Sequence, residues 1–151
     1  MTTLSLLAGL ALGPVVGLVA TLAMDPVMAR LPEGETAPKV AASVLTDTPV
    51  DDAPARLATW VHYVAGGGSG LLFVGLVSAV QATLGVGVGV ALVVSGHAMF
   101  ALMVGFFALV PLPRASGLPR QRLGPIRRDW ALSAAAYVLV AALIVAVATG
   151  V

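Results

Sequence analysis

The chain contains no cysteine. Disulfides, thiolate nucleophiles, iron–sulfur clusters and cysteine zinc sites are therefore excluded. Charge is nearly as scarce: eight Lys and Arg with seven Asp and Glu amount to 10% of 151 residues, against about 25% in ordinary soluble domains. A soluble fold this short must hydrate a large surface, and so few charges do not suffice. The net charge of +1 is too small to argue for nucleic acid. The sequence also lacks a phosphate-cradling G-x-x-x-x-G-K-[ST], a G-x-G-x-x-G opening a helix, and the zinc spacing H-E-x-x-H.

What remains is hydrophobic: 59% of residues, with a mean hydropathy of +1.02. Four apolar runs stand out, at about 4–28, 57–84, 86–110 and 130–149, each reaching the roughly 20 residues needed to cross a bilayer core. They predict an all-α protein, a four-helix transmembrane bundle in a single polytopic domain over 1–151. The first run, opening MTTLSLL, lacks a basic n-region and exceeds the roughly 7–15 residues of a signal-peptide core, so it reads as a retained span.

Every Lys and Arg falls in two loops. The first holds Arg30, Lys39 and Arg56, and the second Arg114, Arg120, Arg122, Arg127 and Arg128. Both loops lie on one side of a four-span chain, and the positive-inside rule puts that side in the cytoplasm of a cell-membrane protein, with both termini outside. Trp60 and Trp130 then sit where spans begin, at headgroup level. In the first loop, residues 38–45 predict a short interfacial helix with Thr36 as a cap and Val40, Ala41, Val44 and Leu45 on its apolar side. The second loop, PLPRASGLPRQRLGPIRRDW, reads as too punctuated for a helix. Its Arg120, Arg122, Arg127 and Arg128 either set topology alone or also meet anionic lipid headgroups.

Gly9, Gly13 and Gly17 recur every fourth residue and mark one helix face for close packing. Pro14, between them, frees the carbonyl of Leu10. In span two, Gly66-Gly-Gly-Ser-Gly70 costs a helix about 1 kcal/mol per glycine relative to alanine. Either Gly66 and Gly70 press against the glycine face of span one, or the helix breaks there and lines a cavity.

Polar groups within spans are the candidate site: Asp25, His62 and His97, with Tyr63 and Tyr137 as partners. Asp25 and His62 lie at similar depth near the basic loops, so they either pair or reach separately for water. His97 is the one ionisable residue of VALVVSGHAMFALMVGFFALVP. Nothing on its own helix offers it a partner. It reads either as a neutral clasp to the Leu10 carbonyl or Tyr137, or as a proton relay. A haem held by both histidines fails on depth: at about 1.5 Å per residue they differ by roughly 18 Å. No cofactor or metal is expected.

The segments GLALGPVVGLVATLAMDPVM, WVHYVAGGGSGLLFVGLV and GHAMFALMVGFFALVPLP resemble small four-span integral membrane proteins of prokaryotes, haloarchaeal or actinobacterial in style. That resemblance implies no activity, and no catalytic role is carried over. The expected function is a non-enzymatic accessory or interaction component of a membrane complex, a respiratory one being a plausible host. The alternative is a small proton-linked transporter or channel using Asp25, His62 and His97. Expected partners are the lipid bilayer, anionic lipid at the second loop, and either further copies of the chain or a larger membrane complex.

Overall fold

The computed structural model describes residues 6–151, apart from the side chains of residues 6–8 and 10. Residues 4 and 5 of the expected first span lie outside the described residues. Among the described residues five α-helices follow one another: α1 (Leu6–Met28), α2 (Thr36–Thr46), α3 (Ala55–Leu84), α4 (Val88–Leu109) and α5 (Arg120–Thr149). All but α2 are long and apolar enough to cross a membrane. The four-helix bundle expected from hydropathy is thus present, with the short helix of the first loop.

The long helices form a ring in which α1 packs on α3 and α5, and α4 closes the circle against the same two. One end carries the tight turn after Leu84, where Gly85 takes a left-handed φ of 63° that ends α3 cheaply. The other end, the loop end, carries both long connections. Between the ends, Val16, Phe73, Val77, Ala91, Ala141 and Val145 form a fully buried apolar core. A second, smaller cluster of Val40, Val50, Phe107, Leu112 and Ile126 lies beneath the loops.

α3 runs unbroken through Gly66–Gly70. The reason is α1, which comes so close that side chains are excluded. A Cβ on Gly17 would lie 2.9 Å from both Gly67 Cα and Gly70 N, and one on Gly13 2.6 Å from Leu71 Cα. Gly70 faces Gly13 and Gly17 in return, and Gly66 faces Thr21. Gly9 is looser, its Cβ meeting Val74 Cγ1 at an ordinary 3.4 Å. Packing of backbone on backbone offsets the intrinsic helix penalty of the glycines.

Three local expectations are corrected. α5 begins at Arg120, about three turns before the apolar run, so the second loop is helical where punctuation argued otherwise. Pro119 stands just ahead of the first turn, and Pro125 removes a single ladder bond; buried Ile126 anchors the segment. In α2, Thr36 is no cap through its own acceptance: its hydroxyl donates to Glu33 Oε2 at 2.6 Å. The buried side of α2 runs through Ala37, Val40 and Ser43, so Leu45 is exposed rather than part of the inward face. Ser43 is inward because its hydroxyl donates to the Thr48 carbonyl at 2.5 Å.

Trp60 is 71% exposed, as an interfacial ring should be. Trp130 is not free at the headgroup level. Its Nε1–H donates to the Met103 carbonyl at 3.1 Å, and its ring packs on Phe107 with centroids 5.1 Å apart.

Candidate functional site

Asp25 is in the last turn of α1 and His62 is two turns into α3, on facing helices. The seam of glycines holds those helices close, and the two side chains meet: His62 Nε2 lies 2.8 Å from Asp25 Oδ1. Tyr63, the next residue, donates its hydroxyl to Asp25 Oδ2 at 2.6 Å. Its ring stands edge-on to the imidazole, with centroids 5.3 Å apart. Both carboxylate oxygens are thus occupied, and an ionised carboxylate only accepts, which puts the His62 proton on Nε2. A carboxylate holding one imidazole nitrogen fixes the ring, and in the neutral imidazole it also fixes the tautomer and leaves Nδ1 as an acceptor. The arrangement can bind a hydroxyl or exchange a proton.

His62 stands between two cavities. On one side is a cleft of about 500 Å³ at the loop end, where Asp25, Glu35, Lys39 and Tyr63 are set among apolar residues such as Met28 and Ala58. On the other is an apolar cavity of about 380 Å³ between α3 and α4, closed at the loop end by Ala37, Pro38 and Ala41 of α2. His62 and Pro38 belong to both walls.

A second polar constellation closes the loop end, and sequence reasoning missed it. Glu33 takes a two-pronged contact from Arg122, with Nε to Oε1 at 2.7 Å and an NH2 to Oε2 at 2.9 Å. Arg122 also reaches Asp51 at 3.1 Å. The Glu33 amide donates to Asp129 Oδ2 at 2.8 Å, and Asp129, with 0% exposure, also accepts from Arg128 Nε at 2.8 Å. The guanidinium of Arg122, helped by the Thr36 hydroxyl, holds the Glu33 carboxyl below its ordinary range against a smaller opposing effect of burial. The Val50 amide donates to the Ser116 carbonyl at 3.1 Å and ties the two loops together. The available signal was the carboxylate of Asp129 at the head of an apolar run, which has to find a partner.

The remaining expected residues are placed differently. His97 is exposed on the outer face of α4, and its Nδ1 lies 2.8 Å from the Val93 carbonyl of its own helix. Its partner does come from its own helix, through the backbone one turn back. The other expected partner, the Leu10 carbonyl, is on α1, which lies across the ring from α4, whereas His97 is on the outer face. Tyr137 is buried and donates instead to the Gly66 carbonyl at 2.7 Å, bracing the glycine seam from α5. His97 therefore joins neither Tyr137 nor the Asp25–His62 pair. Of the arginines expected at headgroups, Arg122 is engaged inside the ionic cap, because two carboxylates face it, and Arg128 contacts Asp129. Arg120 and Arg127 are exposed. Among the described residues, no group of three His, Asp or Glu side chains is placed to hold a metal ion.

No protein-family model, curated protein or solved structure matches the chain.

Proposed function

We propose that this four-span chain is a non-enzymatic accessory or interaction component of a membrane complex. It sits in the cell membrane with its loop end in the cytoplasm, alongside small four-span proteins of prokaryotes. The observation that carries this reading is where the carboxylate and imidazole groups inside the bundle stop among the described residues; deeper polar side chains there are hydroxyls such as Thr21, Ser95 and Tyr137. Asp25, His62 and Tyr63 cluster near the loop end, and the bundle beyond them is filled by fully buried Val16, Phe73, Val77 and Ala141. His97, the residue a relay needs at mid-depth, faces outward. Purification from the native membrane in mild detergent should bring partners in fixed stoichiometry. Orientation is checked with Ser116→Cys, which should resist an impermeant thiol reagent in intact cells.

A second reading, a small proton-linked transporter, is favoured by one feature: the Asp25–His62 pair lies between the loop-end cleft and an apolar cavity. Proton-coupled flux by the purified chain in liposomes, lost in His62→Gln, would establish that reading and overturn the first.

A further inference from the structure

The cavity between α3 and α4 has a mouth and a chemistry of its own. Leu72, Leu102 and Phe106 border it and remain 49%, 50% and 63% exposed, so the opening lies on the outer, lipid-facing side of the bundle. Its interior is not a generic aliphatic surface. Met24, Met99 and Met103, three of the chain's five methionines, line it together with Phe107 and Trp130. Thioether sulfur and aromatic faces favour a flat conjugated ring over a saturated chain.

Two polar groups meet this apolar wall. Ser69 borders the cavity with a half-buried side chain that carries a hydroxyl donor. Neutral His62, fixed through Nε2 by Asp25, keeps Nδ1 as an acceptor. A saturated chain leaves both unpaired in a dry site. A quinol ring satisfies both, one hydroxyl donating to His62 Nδ1 and the other accepting from Ser69, while the oxidised quinone, which only accepts, satisfies Ser69 through a carbonyl.

We infer that the α3–α4 cavity binds a lipid-soluble quinol, and its oxidised quinone through Ser69 alone; the molecule enters from the bilayer and places its ring among Met99, Met103 and Trp130, with one oxygen toward Ser69 and, in the quinol, a hydroxyl toward His62. The inference goes beyond the component role above and does not rest on it, since it concerns the isolated chain.

Trp130 reports occupancy directly, because quinones quench indole fluorescence. In a Trp60→Phe background, where Trp130 is the one remaining tryptophan, the purified chain in micelles is titrated with a benzoquinone bearing a decyl tail. Saturable quenching is expected, weakened about 5–10-fold in apparent affinity by Ser69→Ala, the loss of one hydrogen bond. Ala65→Phe, which fills the cavity from α3, should abolish the saturable part. Ala41→Leu, which fills it from α2, serves the same purpose should the first variant unfold. Decanol, a tail without a ring, should not compete. Quenching that rises linearly without saturation, or saturable quenching unchanged in a folded cavity-filling variant, would overturn the site. Relief of the saturable quenching by decanol at concentrations comparable to the quinone would overturn the ligand class.

Discussion

α3 presents two faces that are built in opposite ways. Gly66 and Gly70 turn toward α1, where a Cβ would run into the Thr21 side chain and into the backbone of Gly13 and Gly17, and Gly67 faces the same helix with ordinary clearance. Ala65, Ser69 and Leu72 turn toward α4, where the helices part and leave a cavity. These sets interleave in one stretch of eight residues, separated only by the rotation of about 100° per residue of a helix. Removing side chains along one face draws a neighbour in. Keeping small and medium ones on the other, with Phe106 and Phe107 projecting from α4, props a neighbour away. A glycine run therefore does not mean a weak helix. It means a directional one, close-packed on one side and free to host a ligand on the other.

The most damaging way to break this contrast is to put a side chain into the seam. Gly17→Leu should cost more than the roughly 1–3 kcal/mol usual for overpacking, because its Cβ meets Gly67 Cα and Gly70 N, backbone atoms that cannot rotate away. Gly75→Leu, on the same α3 but with nothing within 4 Å, should stay within about 0.5 kcal/mol. Thermal unfolding in one detergent compares them. Equal losses from both variants would mean that glycine itself, and not the seam, governs stability.

The open face of α3 depends instead on the ionic cap that holds α2 and the start of α5 over the cavity. Glu33 is its hub, and Arg122 lowers the carboxyl's pKa in the folded state. A carboxyl depressed in this way contributes stability above its ordinary value of 4.5 and loses that contribution as pH falls through the lowered folded value. Wild type should therefore lose about 1 kcal/mol more than Glu33→Gln on acidification, a modest amount because Arg122 is partly solvated. Melting curves between about pH 6 and pH 3 check this. Parallel pH dependence of the two proteins would remove Glu33 from the cap.

Much of this contrast was legible without coordinates. Hydropathy located the four spans, and the spacing of Gly13 and Gly17 named the seam, since a periodic face is a local property of one helix. Similar depth made an Asp25–His62 pair one of two readings, and helix rotation decided between them. What was not legible depended on rotation and on long-range partners. No periodicity links Glu33 to Arg122, which are 89 residues apart. Helix punctuation by Pro119 and Pro125 argued against the early start of α5, but Ile126 in a buried cluster and Arg122 between two carboxylates outweighed it. His97 was misread for the same reason: a span that is apolar all round gives no clue to which side faces the bundle.

The smallest effect is expected at His97, and it tests whether the outer face of α4 is as free as the seam is closed. The Nδ1–H of His97 reaches a carbonyl that, at Val93, already belongs to the helical ladder of α4. Losing that contact orphans no backbone group, and removing an imidazole from a lipid-facing position relieves a polar exposure. His97→Leu should accordingly change stability by no more than about 0.5 kcal/mol, in the direction of a gain if any. His62→Leu should cost more, because Asp25 Oδ1 loses its partner in the interior-facing pair. Unfolding of both variants in lipid nanodiscs gives the comparison, with oligomeric state followed alongside. A loss above about 1 kcal/mol for His97→Leu, or a change in its oligomeric state, would mean that the imidazole is covered by a partner in the bilayer. The outer face of α4 would then be an interface, and the contrast between a closed α1–α3 side and an open α4 side would fail.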